Sequence, residues 1–372
     1  MNTVHPRTGY ITPDHRTNHA TRMPYRLSVL LSLLFVLGAA PASAQIELEQ
    51  GNIEVLTDDH PVWSRPGVRY RSQSRGVAIR YETQPQFRWN ADGAVEGGEQ
   101  TVTHLEQFTF KFKVPLLNKP RTKLLLGYEW DTEKYWFRDP YDGFEDRQTL
   151  FQLLDERRLK ANKLSAYFTH SWDERFYSSG RFRVSYNGDY RGLIDFGSLY
   201  RTYSAALVYG KKVSDDEEWA VGITYSNNKA RQIALPFLVY NRTFNERWGL
   251  QTALPGQAYL RRNVGRRMVN TFLFGATFDS KYYALNTEPQ EGKSFSDLGQ
   301  FFLRNNGIRA MLQYEHNISS WTWAFAQAGY YIPVQTRFNP ADDIDLDLNT
   351  KVETRPFFRV GVFLAPPKEL IK

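Results

Sequence analysis

The sequence predicts an all-β protein, a transmembrane antiparallel up-and-down β-barrel of about 12 to 14 strands. Three observations favour this fold: apolar and polar residues alternate, the alternating segments run for about 9 to 12 residues, and the connections are alternately short and long. A period of two is the pattern of a strand that lies between two different environments. Soluble strands average about 5 to 6 residues, whereas a tilted strand needs about 9 to 11 to cross a bilayer.

The composition excludes several other classes of protein. The chain of 372 residues has no Cys, so it has no disulfides, thiolate metal sites or Cys nucleophiles. Aromatic residues make up 15% of the chain, and the formal net charge is +7. This basic excess is mild and gives little support to nucleic-acid binding. We therefore expect no metal, no cofactor and no nucleic-acid partner.

Residues 1–44 have the pattern of a secretory signal peptide. An apolar run from Leu27 to Leu37 follows Arg26, and the segment ends in Ala42-Ser43-Ala44. Met23 fits the start of this segment better than Met1, because residues 1–22 are polar and without pattern. The chain is thus expected to have four parts: a signal peptide at 1–44, a periplasmic tail or plug segment at 45–76, an outer-membrane barrel at 77–364 and a C-terminal tail at 365–372.

Fourteen segments have strand patterning. In the second, Phe108, Phe110 and Phe112 share one face, and Lys111 and Lys113 share the other. The predicted strands are 77–88, 105–114, 122–131, 161–172, 175–187, 199–210, 217–226, 233–241, 247–254, 256–262, 269–280, 308–316, 321–332 and 355–364.

The connections support a barrel with two different ends. Short ones at 115–121, 173–174, 211–217 and 317–320 alternate with long ones at 90–104, 131–160, 281–307 and 333–353. Outer-membrane barrels have short turns at one rim and longer loops at the other. The ninth and tenth strands are short and also fit one strand broken at Pro255-Gly256, so the predicted count is 12 to 14.

Several segments resemble those of outer-membrane β-barrel proteins of bacteria. Ala234-Leu235-Pro236, Trp248-Gly249-Leu250, Ala328-Gly329-Tyr330 and the last strand, 356–364, are similar to a porin-like family known only as a domain of unknown function. The resemblance covers roughly residues 60 to 365. It implies the barrel fold, a bacterial outer-membrane location, and contacts with outer-membrane lipids and the barrel assembly machinery. It supplies no catalytic residues.

The barrel prediction assigns the apolar face of each strand to lipid and the polar face to the lumen. A soluble β-sandwich with the same aromatic residues in its core is the alternative. Aromatic residues near the strand ends would form the interfacial girdles: Tyr128, Trp130, Trp172, Tyr186, Trp219, Trp321 and Tyr331. The candidate lumen-lining residues are Arg80, Lys111, Lys113, Lys123, Lys163, Arg181, Arg183, Arg309, Arg359, Glu82, Glu129 and Glu315.

This inner wall is basic overall, which favours anions in a pore. Passive, porin-like transport of a small solute is the first functional hypothesis, and a non-conducting structural or ligand- or partner-binding barrel is the second. In the second case Glu129 and Glu315 would pair with neighbouring Arg or Lys in a salt-bridge ladder. The loop residues Leu150, Leu153 and Leu154, like Phe295, Leu298 and Phe302, have helical spacing and would either cap a rim or fold inward as a plug.

Neither a lipid hydrolase nor a calcium loop is favoured. The predicted mature chain contains four histidines, His60, His104, His170 and His316. His170 precedes Ser171, but adjacent strand residues point to opposite faces, and no nucleophile motif is present. No catalytic residue is therefore predicted. The acidic run at 342–349 lacks the Gly and terminal Glu of a calcium-binding loop, so no metal site is predicted there.

Overall fold

The chain folds into one closed antiparallel sheet. The computed structural model describes residues 63–72, 75–91, 99–139, 150–228, 231–265, 268–286, 300–319, 321–340 and 348–365. No helix among these residues has the length and apolar character needed to cross a bilayer. The elements are β1 (Val77–Gln84), β2 (Phe87–Ala91), β3 (Glu99–Asn118), β4 (Thr122–Phe137), α1 (Leu150–Glu156), β5 (Leu159–Ser171), β6 (Phe176–Gly188), β7 (Arg201–Ser214), β8 (Glu217–Asn228), β9 (Arg231–Thr243), β10 (Trp248–Leu254), β11 (Gln257–Val264), β12 (Asn270–Leu285), β13 (Phe301–Asn317), β14 (Thr322–Pro340), β15 (Leu348–Val352) and β16 (Arg355–Leu364).

The sixteen strand segments act as fourteen barrel strands. β1 and β2 follow each other along β3 and together form one strand. β15 and β16 do the same along β14. The barrel closes because β1 pairs with β16 and β2 pairs with β15. The predicted up-and-down barrel is confirmed at the upper end of the predicted count, and the ninth and tenth predicted strands are the separate strands β10 and β11.

The outer surface is apolar and the interior is charged. Phe274 and Leu207 are 66% and 65% exposed, whereas Arg309 and Glu82 are 3% and 2% exposed. A soluble protein has the opposite distribution, with charged residues almost never fully buried unless they are paired. The outward phenylalanines are not interleaved between two sheets, so the sandwich alternative is wrong. An apolar exterior on a closed sheet is the arrangement that hydrocarbon requires, because every backbone group in the wall must be paired.

The short turns lie at one end of the barrel, which we call the inner end; the other is the outer end. In the turn between β5 and β6, the Asp173 carboxylate accepts the backbone N–H groups of Arg175 and Phe176, each at 2.7 Å. These bonds lower the pKa of Asp173. Asn245 binds the N–H groups of Arg247 and Trp248 in the same way, at 2.9 Å. Asx side chains that bind nearby N–H groups explain why two short connections suffice here.

Aromatic residues stand near several strand ends. Trp172, Trp219 and Trp321 are exposed, as expected of an interfacial girdle. The girdle position expected for Tyr331 is wrong, because Tyr331 is buried inside the barrel and its hydroxyl donates to Asn305 Oδ1 at 3.0 Å. β14 continues to Pro340, beyond the strand end that the sequence predicts, and Tyr331 lies on its inward face.

Several strands extend further outward than their patterning predicts. β13 begins at Phe301 instead of 308, and β14 ends at Pro340 instead of 332. In this part of β13, Phe301, Phe302 and Leu303 are all apolar and all buried. Alternation disappears because both faces of the strand are covered there, so the pattern gives no sign that the strand continues.

Candidate functional site

The interior contains a charged cavity of about 290 Å³. Its walls are inward-facing side chains of β1, β3–β6, β10–β14 and β16, together with Arg71, Ser72 and Arg75 from the segment before β1. Among these residues, ten Arg and Lys face six Asp and Glu. The cations are Arg71, Arg75, Arg80, Lys111, Lys163, Arg181, Arg183, Lys281, Arg309 and Arg359, and the acids are Glu82, Glu129, Asp131, Glu133, Asp279 and Glu315.

Ten of the twelve candidate residues line this cavity: Arg80, Glu82, Lys111, Glu129, Lys163, Arg181, Arg183, Arg309, Glu315 and Arg359. Lys113 and Lys123 share the inward parity of β3 and β4 but are not part of the cavity lining. Lys113 Nζ lies 4.4 Å from the centre of the Tyr167 ring on β5. The structure thus brings most of the candidates together on one surface.

A first ion-pair cluster is centred on Glu82. Arg309 lies 3.1 Å and Arg359 2.5 Å from its carboxylate oxygens. Arg309 also pairs with Asp279. β1 and β13 are not neighbours in the sheet, so Arg309 reaches Glu82 past β14 and β16. Buried charges of this kind are tolerated because each is compensated by a partner within hydrogen-bond distance.

A second cluster lies on β3, β4 and β5. Lys163 Nζ sits between Glu129, at 2.7 Å, and Asp131, at 2.5 Å. Lys111 Nζ is 3.7 Å from Glu129, and Arg80 is 3.8 Å from Asp131. Glu129 therefore pairs as the salt-bridge alternative expects, whereas Glu315 takes its partner, Arg75 at 2.8 Å, from the segment before β1.

Six charged lining residues are not among the sequence candidates: Arg71, Arg75, Asp131, Glu133, Asp279 and Lys281. Asp279 lies in the last predicted residues of its strand, and Lys281 and Glu133 lie just past predicted strand ends. The alternation at Thr277, Asp279, Lys281 and Tyr283 continues without a break, and this signal could have identified two of them. No strand pattern indicates Arg75.

The outer end is filled by an aromatic cluster and the short helix α1. Phe151, Leu153 and Leu154 of α1 are buried among inward-facing side chains. The Trp89 ring lies 5.7 Å from Phe151 and 5.8 Å from Phe338, measured between ring centroids. The helix predicted in this loop is therefore folded inward as a plug. Phe295 and Leu298 of the other candidate loop lie outside the described residues. Phe302 packs against Tyr282, with the ring centroids 5.2 Å apart.

Three connections are tied together above this plug. Asp189, after β6, pairs with Arg157, after α1, and accepts the backbone N–H of Asn286, after β12, at 3.0 Å. Gly188 and Ala284 also form a bridge between β6 and β12, which are not adjacent in the wall. Burial raises the pKa of Asp189, although these two partners oppose the shift. The lumen is therefore narrowed at its outer end.

The inner end is crossed by residues 63–72. Ser64 Oγ lies 2.8 Å from the carbonyl oxygen of Asp173, and Gly67 donates its N–H to Glu218 Oε2 at 2.8 Å. Arg69 pairs with Asp216, and the carbonyl of Tyr70 accepts from Asn263 at 2.9 Å. These contacts follow the rim from the β5–β6 turn to β11. The described part of the predicted tail or plug segment is thus packed on the barrel.

Residues 1–62 and 366–372 lie outside the described residues, so the signal peptide, its cleavage and the C-terminal tail stay predictions. The acidic run at 342–347 is also outside them. Within the described part of the chain, no three His, Asp or Glu side chains are placed to hold a metal ion together.

The described histidines do not form a nucleophile–base pair. His170 Nδ1 lies 2.9 Å from Thr122 Oγ1, while Ser171 faces inward and donates to the carbonyl of Ser64. His316 Nδ1 lies 2.8 Å from Asn270 Oδ1, and His104 stacks on Trp136. His170 and Ser171 therefore point to opposite faces, as the strand parity predicts. His60 is not among the described residues.

Solved structures with a similar fold are outer-membrane barrels. The Pseudomonas putida toluene transporter TodX is 9% identical, with 78% of this chain and 90% of that chain covered and a TM-score of 0.36. A Pseudomonas aeruginosa FadL homologue is 8% identical, with 77% of this chain and 89% of that chain covered and a TM-score of 0.38. The KdgM porin in complex with disordered oligogalacturonate is 9% identical, with 77% of this chain and 98% of that chain covered and a TM-score of 0.29. No protein-family model matches the chain, and no curated protein matches it. At these identities and TM-scores the likenesses carry no information about what this chain binds, and the resemblance to one porin-like family stays a prediction.

Proposed function

We propose that this chain is an outer-membrane barrel that acts as a gated channel for small anionic solutes. The observation that carries the proposal is the cavity, in which ten cations face six carboxylates inside a barrel with an apolar exterior. An aqueous space with low-dielectric walls focuses the field of its lining charges. The excess of positive charge therefore concentrates anions and excludes cations.

The outer membrane is the proposed location for physical reasons. A closed sheet satisfies its backbone groups without water, and its exposed apolar band suits contact with lipid. The predicted signal peptide would direct export. Outer-membrane lipids and the barrel assembly machinery are then the proposed partners. No catalytic residue is assigned.

Because α1 packs inside the outer end and residues 63–72 pack along the inner rim, we propose that conduction requires a movement. The outer plug is held by buried aromatic packing, which is costly to separate. The inner segment is held by hydrogen bonds, by the half-exposed ion pair of Arg69 with Asp216, by the stacking of Arg121 on Trp63 and by the buried side chain of Val68, without an aromatic cluster like that of the outer plug. Exposed ion pairs contribute about 0 to 1 kcal/mol. The inner segment is therefore the closure that we propose opens first.

The proposal is tested by conductance in planar bilayers under a KCl gradient. We expect a reversal potential of the sign that chloride selectivity gives, and a smaller one after neutralising Lys111, Lys113, Arg181 and Arg183 to Gln. Lys119→Gln and Arg175→Gln remove charges from exposed turns at the inner end and serve as matched controls. Cation selectivity in the unmodified protein would contradict the proposal.

A non-conducting, ligand-binding or structural barrel is the second candidate. The packing of α1 inside the outer end and of residues 63–72 along the inner rim favours it. It predicts no current from the mature chain, and none after deletion of residues 45–72. Current that appears only on that deletion would instead support the gated channel.

A further inference from the structure

Three cations lie beside one tyrosine on the wall formed by β3 to β6. Lys113 Nζ lies 4.4 Å from the ring centre of Tyr167. Arg181 is the strand partner of Tyr167 on β6, and Arg181 and Arg183 both line the cavity. This group, which we call the Tyr167 cluster, lies on the inner-end side of the Lys163 ion pairs along these strands.

The strand register explains why positive charge accumulates here. One row across the four strands consists of Lys113, Gly127, Ser165 and Arg183. The next row toward the inner end contains Leu125, Tyr167 and Arg181. Neither row contains an acid. The acids of this wall, Glu129 and Asp131, lie in rows nearer the outer end, where both form ion pairs with Lys163.

The residues between the cations are small. Gly127 has no side chain, and a Cβ built there would lie 3.1 Å from Tyr167 Cε2 and 3.2 Å from Lys113 Cγ. Ser165 accepts a hydrogen bond from Arg183 Nε at 2.9 Å, which fixes the direction of that guanidinium. The strand pairs of Arg183 and Arg181 on β7 are Ser204 and Ala206. The Tyr167 ring and the Lys113 stem therefore pack closely over Gly127, on the same face of the wall as Arg181 and Arg183.

We infer that the Tyr167 cluster is a binding site for a compact oxyanion with two negative charges, of the hydrogen phosphate or sulfate type. Guanidinium forks bind tetrahedral oxyanions through two parallel hydrogen bonds, and ammonium groups add point charges. The Tyr167 hydroxyl is a further polar group on this patch. Three positive groups on one patch of the cavity wall favour a dianion over a monoanion of similar size, because the attraction scales with the ligand charge. The inference rests on the proposed function, since it names the class of anion that the channel would recognise.

Equilibrium binding tests the site without requiring an open channel. The mature protein in an uncharged detergent is titrated with inorganic phosphate at pH 8, then with sulfate and with acetate, by calorimetry. We expect phosphate and sulfate to bind and acetate to bind at least tenfold more weakly. Hydrogen bonds to charged groups contribute enough that Arg181→Gln and Arg183→Gln should each weaken phosphate binding about 10- to 100-fold. Tyr167→Phe should weaken it by less.

Matched variants separate the site from general charge and from folding. Lys119→Gln and Arg175→Gln also remove one positive charge each, from exposed turns, and should leave phosphate binding unchanged. Gly127→Ala changes no charge but displaces the Tyr167 ring and the Lys113 stem, so it should weaken binding. Gly180→Ala, whose Cβ meets only Leu207 Cδ2 at 3.2 Å and a carbonyl at 3.6 Å, should not. The heat-dependent gel shift of folded barrels verifies folding for each variant.

The outcomes distinguish the site from the channel. No phosphate binding, equally tight acetate binding, or unchanged binding in Arg181→Gln and Arg183→Gln each overturns the site. Anion-selective conductance together with any of these results leaves the proposed function standing. Phosphate binding that the cluster variants weaken, in a protein that never conducts, supports the site and overturns the channel.

Discussion

Replacing Glu218 with Gln should loosen the segment, residues 63–72, that we propose closes the inner end of the barrel. Glu218 is fully buried and accepts hydrogen bonds from the N–H of Gly67, the hydroxyl of Tyr177 and the amide of Asn241. Of these three hydrogen bonds, only the one from Gly67 joins residues 63–72 to the barrel wall. The substitution keeps the size of the side chain and removes its charge, so the barrel itself should still fold.

The lower bound of the magnitude follows from the hydrogen bond between Gly67 and Glu218, to which the attraction between the buried Arg71 and the Glu218 carboxylate adds. A hydrogen bond to a charged group contributes about 1.5 to 3 kcal/mol, and a neutral one about 0.5 to 1.5. The loss of about 1 to 1.4 kcal/mol should raise the ratio of open to closed states roughly 5- to 10-fold. Single-channel recording measures this ratio directly.

The neighbouring carboxylate provides the control. Glu217 lies on the outward face, where it contacts Trp219 Nε1 at 3.4 Å and the Tyr240 hydroxyl at 3.4 Å. Glu217→Gln should leave the open-to-closed ratio unchanged. An unchanged ratio in Glu218→Gln, or an equal rise in both variants, would refute the reasoning that residues 63–72 gate the inner end.

Three further predictions concern packing and the lipid-facing surface. Phe151→Ala should reduce the packing free energy that holds α1 inside the barrel by about 3 to 5 kcal/mol and increase the frequency of open states. Glu156→Ala, at the exposed end of α1, should change neither. Equal effects of the two substitutions would argue against the plug. Gly222→Ala places a Cβ 2.3 Å from Phe237 Cζ and 2.6 Å from the Leu207 carbonyl oxygen. Urea unfolding in phospholipid should therefore show a free energy of unfolding lower by about 1 to 3 kcal/mol. The prediction fails if the unfolding midpoint equals that of Gly180→Ala. In the same assay Leu207→Lys, at mid-strand, should lower the free energy of unfolding by about 2 to 4 kcal/mol, whereas Val213→Lys, near the strand end, should lower it by about 0 to 1 kcal/mol. The reverse order would be incompatible with the proposed depth of β7 in the membrane.

Strand patterning predicts much of this fold because one side of each strand contacts apolar surroundings and the other polar ones. The period of two locates all fourteen barrel strands and the inward parity of residues such as Lys111 and Arg309. It fails where the surroundings on the two faces become alike. Phe301, Phe302 and Leu303 are buried from both sides, so β13 continues without a pattern to mark it.

The candidate site was predictable only as a set of inward positions. Which charges pair depends on the closure of the barrel, since Glu82 meets Arg309 past two intervening strands. The inward plug is equally a tertiary property, because Phe151 and Leu154 have the same helical spacing whether α1 caps the rim or fills it. Arg75 reaches Glu315 from a segment with no strand pattern.

The central claim is that the apolar faces of the strands contact lipid while the charged faces enclose the lumen. Because the chain has no Cys, single Cys substitutions at positions 204 to 209 of β7 would carry one spin label each. Collisions with oxygen, which is concentrated in hydrocarbon, should be frequent at positions 205, 207 and 209 and rare at 204, 206 and 208 in phospholipid vesicles. Equal oxygen accessibility at both sets of positions, or the opposite alternation, would contradict the claim.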